Sequence, residues 1–376
     1  WIMAILRGLL MNGWLMIGID ARLLAYRTGG ISTYAKHLLL ALADIAPPNA
    51  IGLFHHVKDK TRLNTPFRAY RLYTPPHHRL ENITLSAELL RHRLKIWHSP
   101  DFIPPLRGGK AHIITVHDLT FLHYPQHKDA DSIRYYNGQI ERAVYQADHI
   151  LSVSHATKQD LITMLNVPET KITVQPNGID ARFQPLAEAD KWAWRKKLNL
   201  PSDYILHVGT LEPRKNIPTL LDAYLMLKNP PPLVLVGRMG WLFDETLARI
   251  RQLQADGKAI IWRDDIDDES LPAVYACASV LVLPSFYEGF GLPAVEAMAC
   301  GLPVVVSNNS SLPEVVGDAG LLIHPEEPEM LVEGLNRALS DNQWRERVIL
   351  KGIAQAQKFT WENSAKIAWS VYQNML

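Results

Sequence analysis

The sequence predicts an α/β protein with two doubly wound domains, each built on a parallel sheet. Three observations lead to this prediction. The chain has 376 residues, which is more than one hydrophobic core usually supports. Short apolar runs recur along it without the alternation of half-solvated strands, as is typical of parallel strands covered on both faces. Helical patterns separate these runs in two successive series, so we expect one domain for each series.

The first predicted domain covers residues 16–178. Its apolar runs occupy residues 16–20, 51–57, 112–118, 149–154 and 171–176, with helical patterns over 31–44, 129–147 and 156–165. Residues 1–15 are set apart as an N-terminal extension, because MIGID from Met16 looks like a natural start. This apolar extension is too short to cross a bilayer, and an interfacial membrane anchor is its alternative interpretation.

The second predicted domain covers residues 179–358. Its apolar runs occupy residues 204–209, 233–237, 259–262, 279–284 and 303–307, with helical patterns near 217–228, 243–255 and 292–300. The turn-forming QPNGID of residues 175–180 lies between the two series. A last helix is predicted over 359–376, and we expect it to pack back toward the first domain.

Composition indicates an ordinary soluble globular protein. Hydrophobic residues make up 47% of the chain and charged residues 20%, and the formal net charge is +1, so no overall nucleic-acid signature is present. The two cysteines, Cys277 and Cys300, form no CxxC pair and have no second pair to complete a metal site. A reducing, cytoplasmic compartment fits this cysteine usage.

The stretch SFYEGFGLPAVE, residues 285–296, follows a predicted strand at the edge where open parallel sheets bind ligands. Pro293 suits the first turn of a helix. The amides at the start of that helix and the positive end of its dipole predict a phosphate site. We assign four residues of this turn to that site: Gly289, Phe290, Gly291 and Leu292.

Glu288 and Glu296 flank the same turn. Neither is expected to contact the phosphate, because like charges about 4 Å apart repel by about 4 kcal/mol at an effective dielectric constant of 20. A carboxylate instead matches the two neighbouring hydroxyls of a sugar. The alternative is that Glu296 is a solvated helix residue and Glu288 a loop charge.

The same turn, GFGLPA, also satisfies the G-x-G-x-x-A fingerprint of dinucleotide-binding proteins. That fingerprint expects an acidic residue at the end of the next strand to hold the ribose. Here the next strand ends in Ser307, Asn308 and Asn309. An NAD-dependent oxidoreductase is therefore kept only as a remote alternative.

A second candidate site is HVGTLEPRKN, residues 207–216, where a predicted strand ends at Gly209. Asn216 is predicted to cap the helix that follows. Arg214 and Lys215 precede that helix, and two cations at a helix start suit a diphosphate that gains charge as it leaves. The alternative is that they are paired surface charges with no part in binding.

Together these residues resemble the retaining family 4 glycosyltransferases of the GT-B fold. EGFGLPAVE resembles the E-x7-E signature of that family and GTLEPRKN its phosphate-binding loop. PNGID resembles its interdomain segment, and GGISTY from Gly29 its first glycine loop. The resemblance covers residues 16 to the C-terminus and implies two Rossmann-like domains that face each other across a cleft.

The resemblance also implies roles for individual residues. Arg214 and Lys215 would bind the donor diphosphate, Glu296 the nucleotide ribose and Glu288 the transferred sugar. Gly29 and Gly30 would approach the phosphates from the other domain, or form a plain strand-to-helix turn. His117, in TVHDL, would contact the sugar or acceptor near the reacting carbon, although a lone histidine is more often structural.

No metal is expected. His123 and His127 have a metal-like spacing, but no third ligand is evident and the HYP sequence between them argues against one helix. The acids of RDDIDDES, residues 263–270, are interpreted as helix-start charges and a solvated loop. Because Arg214, Lys215 and a helix dipole can neutralise the leaving diphosphate, we predict transfer without a divalent cation.

Residues 58–95 carry nine basic and three acidic residues, a local net charge of +6. This basic region suggests an anionic acceptor such as a lipid-linked glycan, or peripheral docking on the inner face of a membrane. A solvated face balanced by acids elsewhere is the alternative.

The function predicted is a hexosyltransferase of envelope or polysaccharide synthesis, and the resemblance to bacterial mannosyltransferases implies GDP-mannose as the favoured donor. UDP-glucose or another sugar nucleotide is the alternative within the fold. A non-catalytic sugar-nucleotide-binding subunit is disfavoured, because both glutamates and the Arg-Lys pair are present.

Overall fold

The computed structural model describes residues 16–25, 29–60, 63–78, 80–127 and 130–376. The extension predicted over residues 1–15 therefore lies outside the described residues. The chain divides into two compact units. The first comprises the described residues up to Leu119, with Ala130–Gly178 and Trp361–Leu376. The second comprises Ile179–Thr360, with the described part of Thr120–Asp129.

The first unit contains a parallel sheet of seven strands in the order β3-β2-β1-β4-β5-β6-β7. These strands are β1 (Ile17–Asp20), β2 (Ile51–His56), β3 (Arg68–Leu72), β4 (Leu94–Ser99), β5 (Gly109–Val116), β6 (His149–Ser152) and β7 (Ile172–Val174). Its helices are α1 (Gly30–Ile45), α2 (Glu81–Leu89), α4 (Ala130–Gln146), α5 (His155–Leu165) and α14 (Trp361–Met375). The short α3 (Thr120–His123) groups with the second unit.

The second unit contains a parallel sheet of six strands in the order β10-β9-β8-β11-β12-β13. These strands are β8 (Ile205–Val208), β9 (Leu233–Val236), β10 (Ile260–Arg263), β11 (Val280–Leu283), β12 (Val304–Ser307) and β13 (Leu321–Ile323). Its remaining helices are α6 (Glu188–Leu198), α7 (Ile217–Met226), α8 (Asp244–Ala255), α9 (Leu271–Cys277), α10 (Leu292–Ala299), α11 (Leu312–Val316), α12 (Pro328–Ser340) and α13 (Asn342–Ala356).

The apolar sequence pattern explains why these elements pack as they do. Every residue of β8, β9, β11 and β12 is buried, as expected of strands covered by helices on both faces. In α1 the buried residues recur at helical spacing, with Tyr34, Leu38 and Leu42 on the face toward the sheet. The helix α14 packs against α1, and its buried Tyr372 hydroxyl lies 2.6 Å from Nδ1 of His98.

Both sheets have the strand order that creates a topological switch point. In the first sheet the order reverses between β1 and β4, and in the second it reverses between β8 and β11. Open parallel sheets bind ligands beyond the carboxyl ends of the two strands that flank this point. The loops after β8 and β11 are therefore the expected site of the second unit.

Three strands of the two sheets were not predicted from the sequence. The edge strand β3 is exposed at three of its five positions, β4 contains lysine, tryptophan and histidine, and β13 has three residues. None of them is a long apolar run, so the pairing with neighbouring strands, and not the local sequence, specifies them. The helices α2, α6, α11, α12 and α13 were also missed.

Two boundaries differ from the predicted ones. The described part of Thr120–Asp129, placed by sequence in the first domain, groups with the second unit. Thr360 pairs with Ile179 in an isolated bridge, so the last helix begins at Trp361 and not at residue 359. Within the described ranges, no helix has the length and apolar character needed to cross a membrane.

Gly237 allows a direct test of how closely the loops after β8 and β9 approach each other. Its φ is 154°, and a Cβ there would lie 1.9 Å from the carbonyl oxygen of Gly209. We expect Gly237→Ala to destabilise the protein by about 3 kcal/mol or more, because backbone strain and a clash with main chain act together. Urea unfolding measures this loss.

Gly257→Ala is the matched control for that experiment. Gly257 also has a positive φ, of 78°, but a Cβ there would meet nothing within 4 Å. We expect a cost of about 1 kcal/mol from strain alone. Equal losses in the two variants would show that the close approach of the loops after β8 and β9 does not matter for stability.

Candidate functional site

The loops after β8 and β11 meet at the switch point of the second sheet. After β8 the chain passes Gly209 and forms a short 3₁₀ helix, Pro213–Lys215, before α7. After β11 it passes Ser285 and Glu288 before α10. The amide of Phe286 donates a hydrogen bond to the carbonyl of Arg214 at 2.8 Å, which joins the two loops.

Glu288 is the centre of a buried ion cluster. Its Oε1 lies 2.6 Å from Nζ of Lys215, and its Oε2 lies 2.9 Å from Nη1 of Arg214. The hydroxyl of Ser285 donates to Oε1 at 2.7 Å, and the Glu288 amide donates to Oγ of Ser310 at 2.9 Å. The exposed fraction is 5% for both Glu288 and Lys215. The carboxylate is therefore held on all sides within the protein.

Electrostatics keep this carboxylate ionised. Burial alone would raise the pKa of Glu288, but the Lys215 ammonium and the Arg214 guanidinium outweigh burial and lower that pKa to about 2. Burial, together with the neighbouring Arg214, lowers the pKa of Lys215 from its usual range. Arg214 also contacts Glu212, with Nε 2.6 Å from Oε1. Two cations thus face two carboxylates, and their formal charges cancel.

This contact was not expected from the sequence. From the sequence, Arg214 and Lys215 were expected to bind a diphosphate and Glu288 a sugar, with no contact predicted between them. The structure brings all three into direct contact, because the hydrogen bond from Phe286 to Arg214 draws the two loops together. The alternative of paired surface charges is right about the pairing and wrong about the surface for Lys215, which is buried. Glu288 does lie in the loop, but it is buried there.

The start of α10 lies immediately after Glu288. Gly291 is its N-cap residue with φ 90°, and a Cβ there would lie 2.7 Å from the Leu312 side chain, so glycine is required. Leu292 and Pro293 form the first turn. Phe290 is buried and packs edge-on against Phe359 at 5.4 Å, so only the backbone of Phe290 is suited to the predicted role in donor binding.

Gly209 and Asn216 shape the loop after β8. A Cβ on Gly209 would lie 3.2 Å from Cε of Lys215, so the glycine gives that side chain room. Asn216 is the N-cap residue of α7, as predicted, with φ 55°, but its side chain makes no capping bond to the helix backbone. Its Nδ2 instead donates to the carbonyls of Pro284 and Pro325, at 3.0 and 2.6 Å, and so ties three loops together.

Glu296 has a different environment from Glu288. It lies on α10 and accepts a hydrogen bond of 2.6 Å from the hydroxyl of Tyr275. Burial raises the pKa of Glu296 to about 7, and the nearby Asp268 and Asp180 add to this rise. The side chain is thus not a freely solvated helix residue. Protonation is therefore easier for Glu296 than for an ordinary glutamate.

Gly29, Gly30 and His117 belong to the first unit. Gly29 is the N-cap of α1 in an extended conformation, with its amide donating to Oγ of Ser32 at 2.9 Å. Nε2 of His117 lies 2.8 Å from the carbonyl of Pro100. Because that carbonyl can only accept, Nε2 carries the hydrogen of the neutral ring. Burial lowers the pKa of His117, which favours the neutral form.

Several residues of the site in the second unit were not predicted from the sequence. Ser285 and Ser310 hold Glu288, and Tyr275 holds Glu296, but no motif marks these positions. His207, on β8, is fully buried with Nδ1 2.9 Å from the Val282 carbonyl. Burial lowers the pKa of His207 to about 4, and its Nε2 has no hydrogen-bond partner among the described residues.

The segment after β5 also contributes to this site. The Tyr124 hydroxyl donates to the carbonyl of Phe286 at 3.3 Å, and the His123 ring lies 4.8 Å from the ring of Tyr287. Both contacts support the loop that carries Glu288. His123 ends α3 and His127 lies in a separate 3₁₀ helix, so the two do not share one helix.

The acidic stretch after β10 forms local contacts. Arg263 bonds Asp265 at 2.6 Å, and Asp267 accepts from the amide of Ser270 at 2.7 Å, next to the start of α9. The described residues contain no cluster of three or more histidine, cysteine or acidic side chains arranged for a metal ion. Sugar transfer without a divalent cation stays a prediction.

Two family models match the chain. The model for Glycosyltransferase Family 4 matches residues 28–183, and the model for Glycosyl transferases group 1 matches residues 190–355. The O-antigen chain mannosyltransferase B of Escherichia coli is 33% identical over 370 residues, which is 93% of this chain and 97% of that protein.

Solved structures show the same fold. The sucrose-phosphate synthase from Thermosynechococcus elongatus has a TM-score of 0.77 at 24% identity, covering 95% of this chain and 98% of that one. WaaG, a glycosyltransferase involved in lipopolysaccharide biosynthesis, has a TM-score of 0.74 at 15% identity, covering 95% and 99%. The chain therefore belongs to the group 1 and family 4 glycosyltransferases and has their GT-B fold.

Proposed function

We propose that this glycosyltransferase moves mannose from GDP-mannose to a glycan or lipid-linked acceptor in polysaccharide synthesis, with retention at the anomeric carbon. The observation that carries the proposal is the buried cluster of Glu288, Lys215 and Arg214 at the switch point of the second sheet. The choice of mannose is supported by the relative of 33% identity, which is an O-antigen chain mannosyltransferase. UDP-glucose or another sugar nucleotide is the alternative donor.

The ion cluster suits an exchange of partners when the donor binds. In the free protein Glu288 occupies both cations. A diphosphate can replace it there, since arginine and lysine form strong charge-assisted hydrogen bonds to phosphate oxygens. The displaced carboxylate can then accept hydrogen bonds from the sugar hydroxyls. Glu288 therefore pairs with the cations before the donor binds and contacts the sugar afterwards. The ion pairs of the free protein do not conflict with the roles predicted for these three residues.

The same cations serve the transfer step. As the bond from the anomeric carbon to the diphosphate breaks, negative charge grows on the leaving group, where Arg214, Lys215 and the start of α10 stabilise it. The acceptor hydroxyl forms the new glycosidic bond on the face that the diphosphate leaves, and a phosphate oxygen takes its proton. No divalent cation is needed in this scheme.

The remaining residues complete the proposal. Glu296 binds the ribose hydroxyls, and the backbone from Gly289 to Leu292, with Gly209, lies along the phosphates. His117 contacts the sugar or acceptor, and Gly29 with Gly30 approaches the phosphates.

A nucleotide screen tests the proposed donor class. Thermal unfolding in EDTA is measured with GDP, UDP, ADP, NAD and GDP-mannose. GDP and GDP-mannose should stabilise the protein by about 2.7 kcal/mol at 100 times their dissociation constants. A shift with UDP alone would favour the alternative donor. No shift with any nucleotide, or a shift with NAD alone, would contradict the proposal.

Glu288→Gln tests the exchange of partners. The change should lower the stability of the free protein by about 3 kcal/mol, because the buried Lys215 loses its counter-ion and the partly buried Arg214 keeps only Glu212. GDP should bind at least as tightly as before, since no carboxylate competes for the cations. Turnover should fall by about a hundredfold or more. Urea unfolding, calorimetry and a transfer assay measure these three effects.

Two further variants make that test decisive. Glu333→Gln alters an exposed residue of α12 and should leave all three measurements unchanged. Ser285→Ala removes one neutral hydrogen bond to Glu288, so it should cost about 1 kcal/mol and slow turnover less. Tenfold weaker GDP binding in Glu288→Gln, with turnover retained, would be the opposite of the expected pattern.

The raised pKa of Glu296 predicts a pH effect on donor binding. Ribose hydroxyls donate to the charged carboxylate, so affinity should rise as pH increases through about 7 and level off above it. GDP-mannose is the suitable probe, because both of its phosphates are esterified and lack the titration near pH 6 of a terminal phosphate. Calorimetry on the wild type and on Glu296→Gln should show the slope only in the wild type. The same slope in both would exclude Glu296 as its source.

A further inference from the structure

An apolar stripe lies exposed on α2 and the residues that flank it. Leu80, Ile83 and Leu90 are 54%, 60% and 65% exposed. With the exposed Ala87 they follow a spacing of three, four and three residues, which places them on one helical face. Large exposed apolar side chains in contiguous groups mark interaction surfaces on soluble proteins.

Two neighbouring segments extend this stripe. Tyr73 is 70% exposed, and its amide donates to Oε2 of Glu88 on α2 at 2.7 Å. Leu106 is 40% exposed, and its amide donates to the carbonyl of Asn82 at 3.1 Å. Both side chains therefore extend from backbone that is bonded to α2.

Basic residues surround the stripe. Arg91 and Arg93 follow α2, and the amide of Arg107 donates to Oγ of Ser86 at 3.0 Å; all three arginines are exposed. On the edge strand β3, Arg68 and Arg71 are also exposed. We call the stripe and its nearest cations the α2 surface. It consists of Leu80, Ile83, Ala87, Leu90, Tyr73 and Leu106, with Arg91, Arg93 and Arg107.

The two acids of α2 offset these cations only in part. Glu81 is buried, with Oε1 2.6 Å from Nη2 of Arg22. Glu88 accepts hydrogen bonds from the amides of Tyr73 and Thr74 and from the Thr74 hydroxyl. Glu81 is thus engaged inside the fold, whereas Glu88 is only partly buried and keeps its charge beside the stripe. The stripe residues themselves are uncharged, and the three arginines outnumber this one partly exposed acid.

We propose that the α2 surface docks the protein on an anionic phospholipid bilayer. A helix face with leucine, isoleucine and tyrosine inserts among the headgroups, and flanking arginines bind anionic lipid. A solvated face would be polar at these positions. An anionic acceptor alone would require the arginines but not the apolar stripe. The basic region of the sequence therefore fits a membrane best, although Arg62 and Arg79 lie outside the described residues.

Vesicle flotation tests this docking directly. The full chain is mixed with vesicles of phosphatidylcholine, or of phosphatidylcholine with about one third phosphatidylglycerol. We expect flotation with the anionic vesicles and little with the neutral ones. Raising the salt should release the protein, since the Debye length falls from about 8 Å at physiological ionic strength to about 3 Å at 1 M.

Three variants assign the binding to this surface. Ile83→Glu with Leu90→Glu should weaken flotation at least tenfold. Arg91→Gln with Arg107→Gln should weaken it by a factor of about 25, or about five for each cation. Leu350→Glu, at a 72% exposed position of α13, is the matched control and should float like the wild type.

Each outcome decides for or against the proposal. It is overturned if the wild type ignores anionic vesicles, if the α2 variants float unchanged, or if Leu350→Glu loses as much. Flotation only when a lipid-linked acceptor is added would also overturn it, because the surface would then bind the acceptor. A cooperative urea unfolding transition without ligand, like that of the wild type, shows that each variant is folded. Docking and donor binding can therefore fail independently.

Discussion

The buried ion pairs of Glu288 are the constraint on which the second unit depends. A carboxylate that is 5% exposed must have its charge compensated, and here one lysine, one arginine and one serine compensate it. Lys215 and Arg214 come from the loop after β8, whereas Glu288 and Ser285 come from the loop after β11. The pairing therefore fixes the two loops that flank the switch point, where the fold is expected to bind its ligand.

The same ion pairs explain how one site can bind both a diphosphate and a sugar. Two cations without a counter-ion would be costly to bury in the free protein. Glu288 supplies that counter-ion, and in the proposed function a diphosphate replaces it. In the proposed function the carboxylate is then free to accept hydrogen bonds from the sugar. The residue that stabilises the ligand-free site therefore also binds the substrate.

The two glutamates of the motif are separated by their surroundings. The pKa of Glu288 is held near 2 by two cations, whereas burial raises the pKa of Glu296 to about 7. Eight positions of chain thus separate a permanent anion from a group that titrates at neutral pH. Environments that push two pKa values apart usually indicate two different roles. Ribose binding by Glu296 and sugar binding by Glu288 fit that difference.

Much of the fold could be predicted from the sequence, because its central strands are continuous apolar runs such as β11 and β12. The edge strand β3 could not, since its exposed arginines carry no apolar signal. For the site, the glycines and the helix start were readable from local sequence. The contact of Glu288 with Lys215 spans 73 positions and depends on strand order, which no local pattern encodes. Tyr275 and Ser310 were missed for the same reason.

A double-mutant cycle between Lys215 and Glu288 tests the exchange of partners most directly. The variants are Lys215→Met, Glu288→Gln and the double change, and their unfolding free energies are measured without ligand and with saturating GDP. We expect a coupling energy of about 2 kcal/mol in the free protein that falls by more than half when GDP is bound. An equal coupling energy in both states would show that the carboxylate keeps its cations, and would contradict the account.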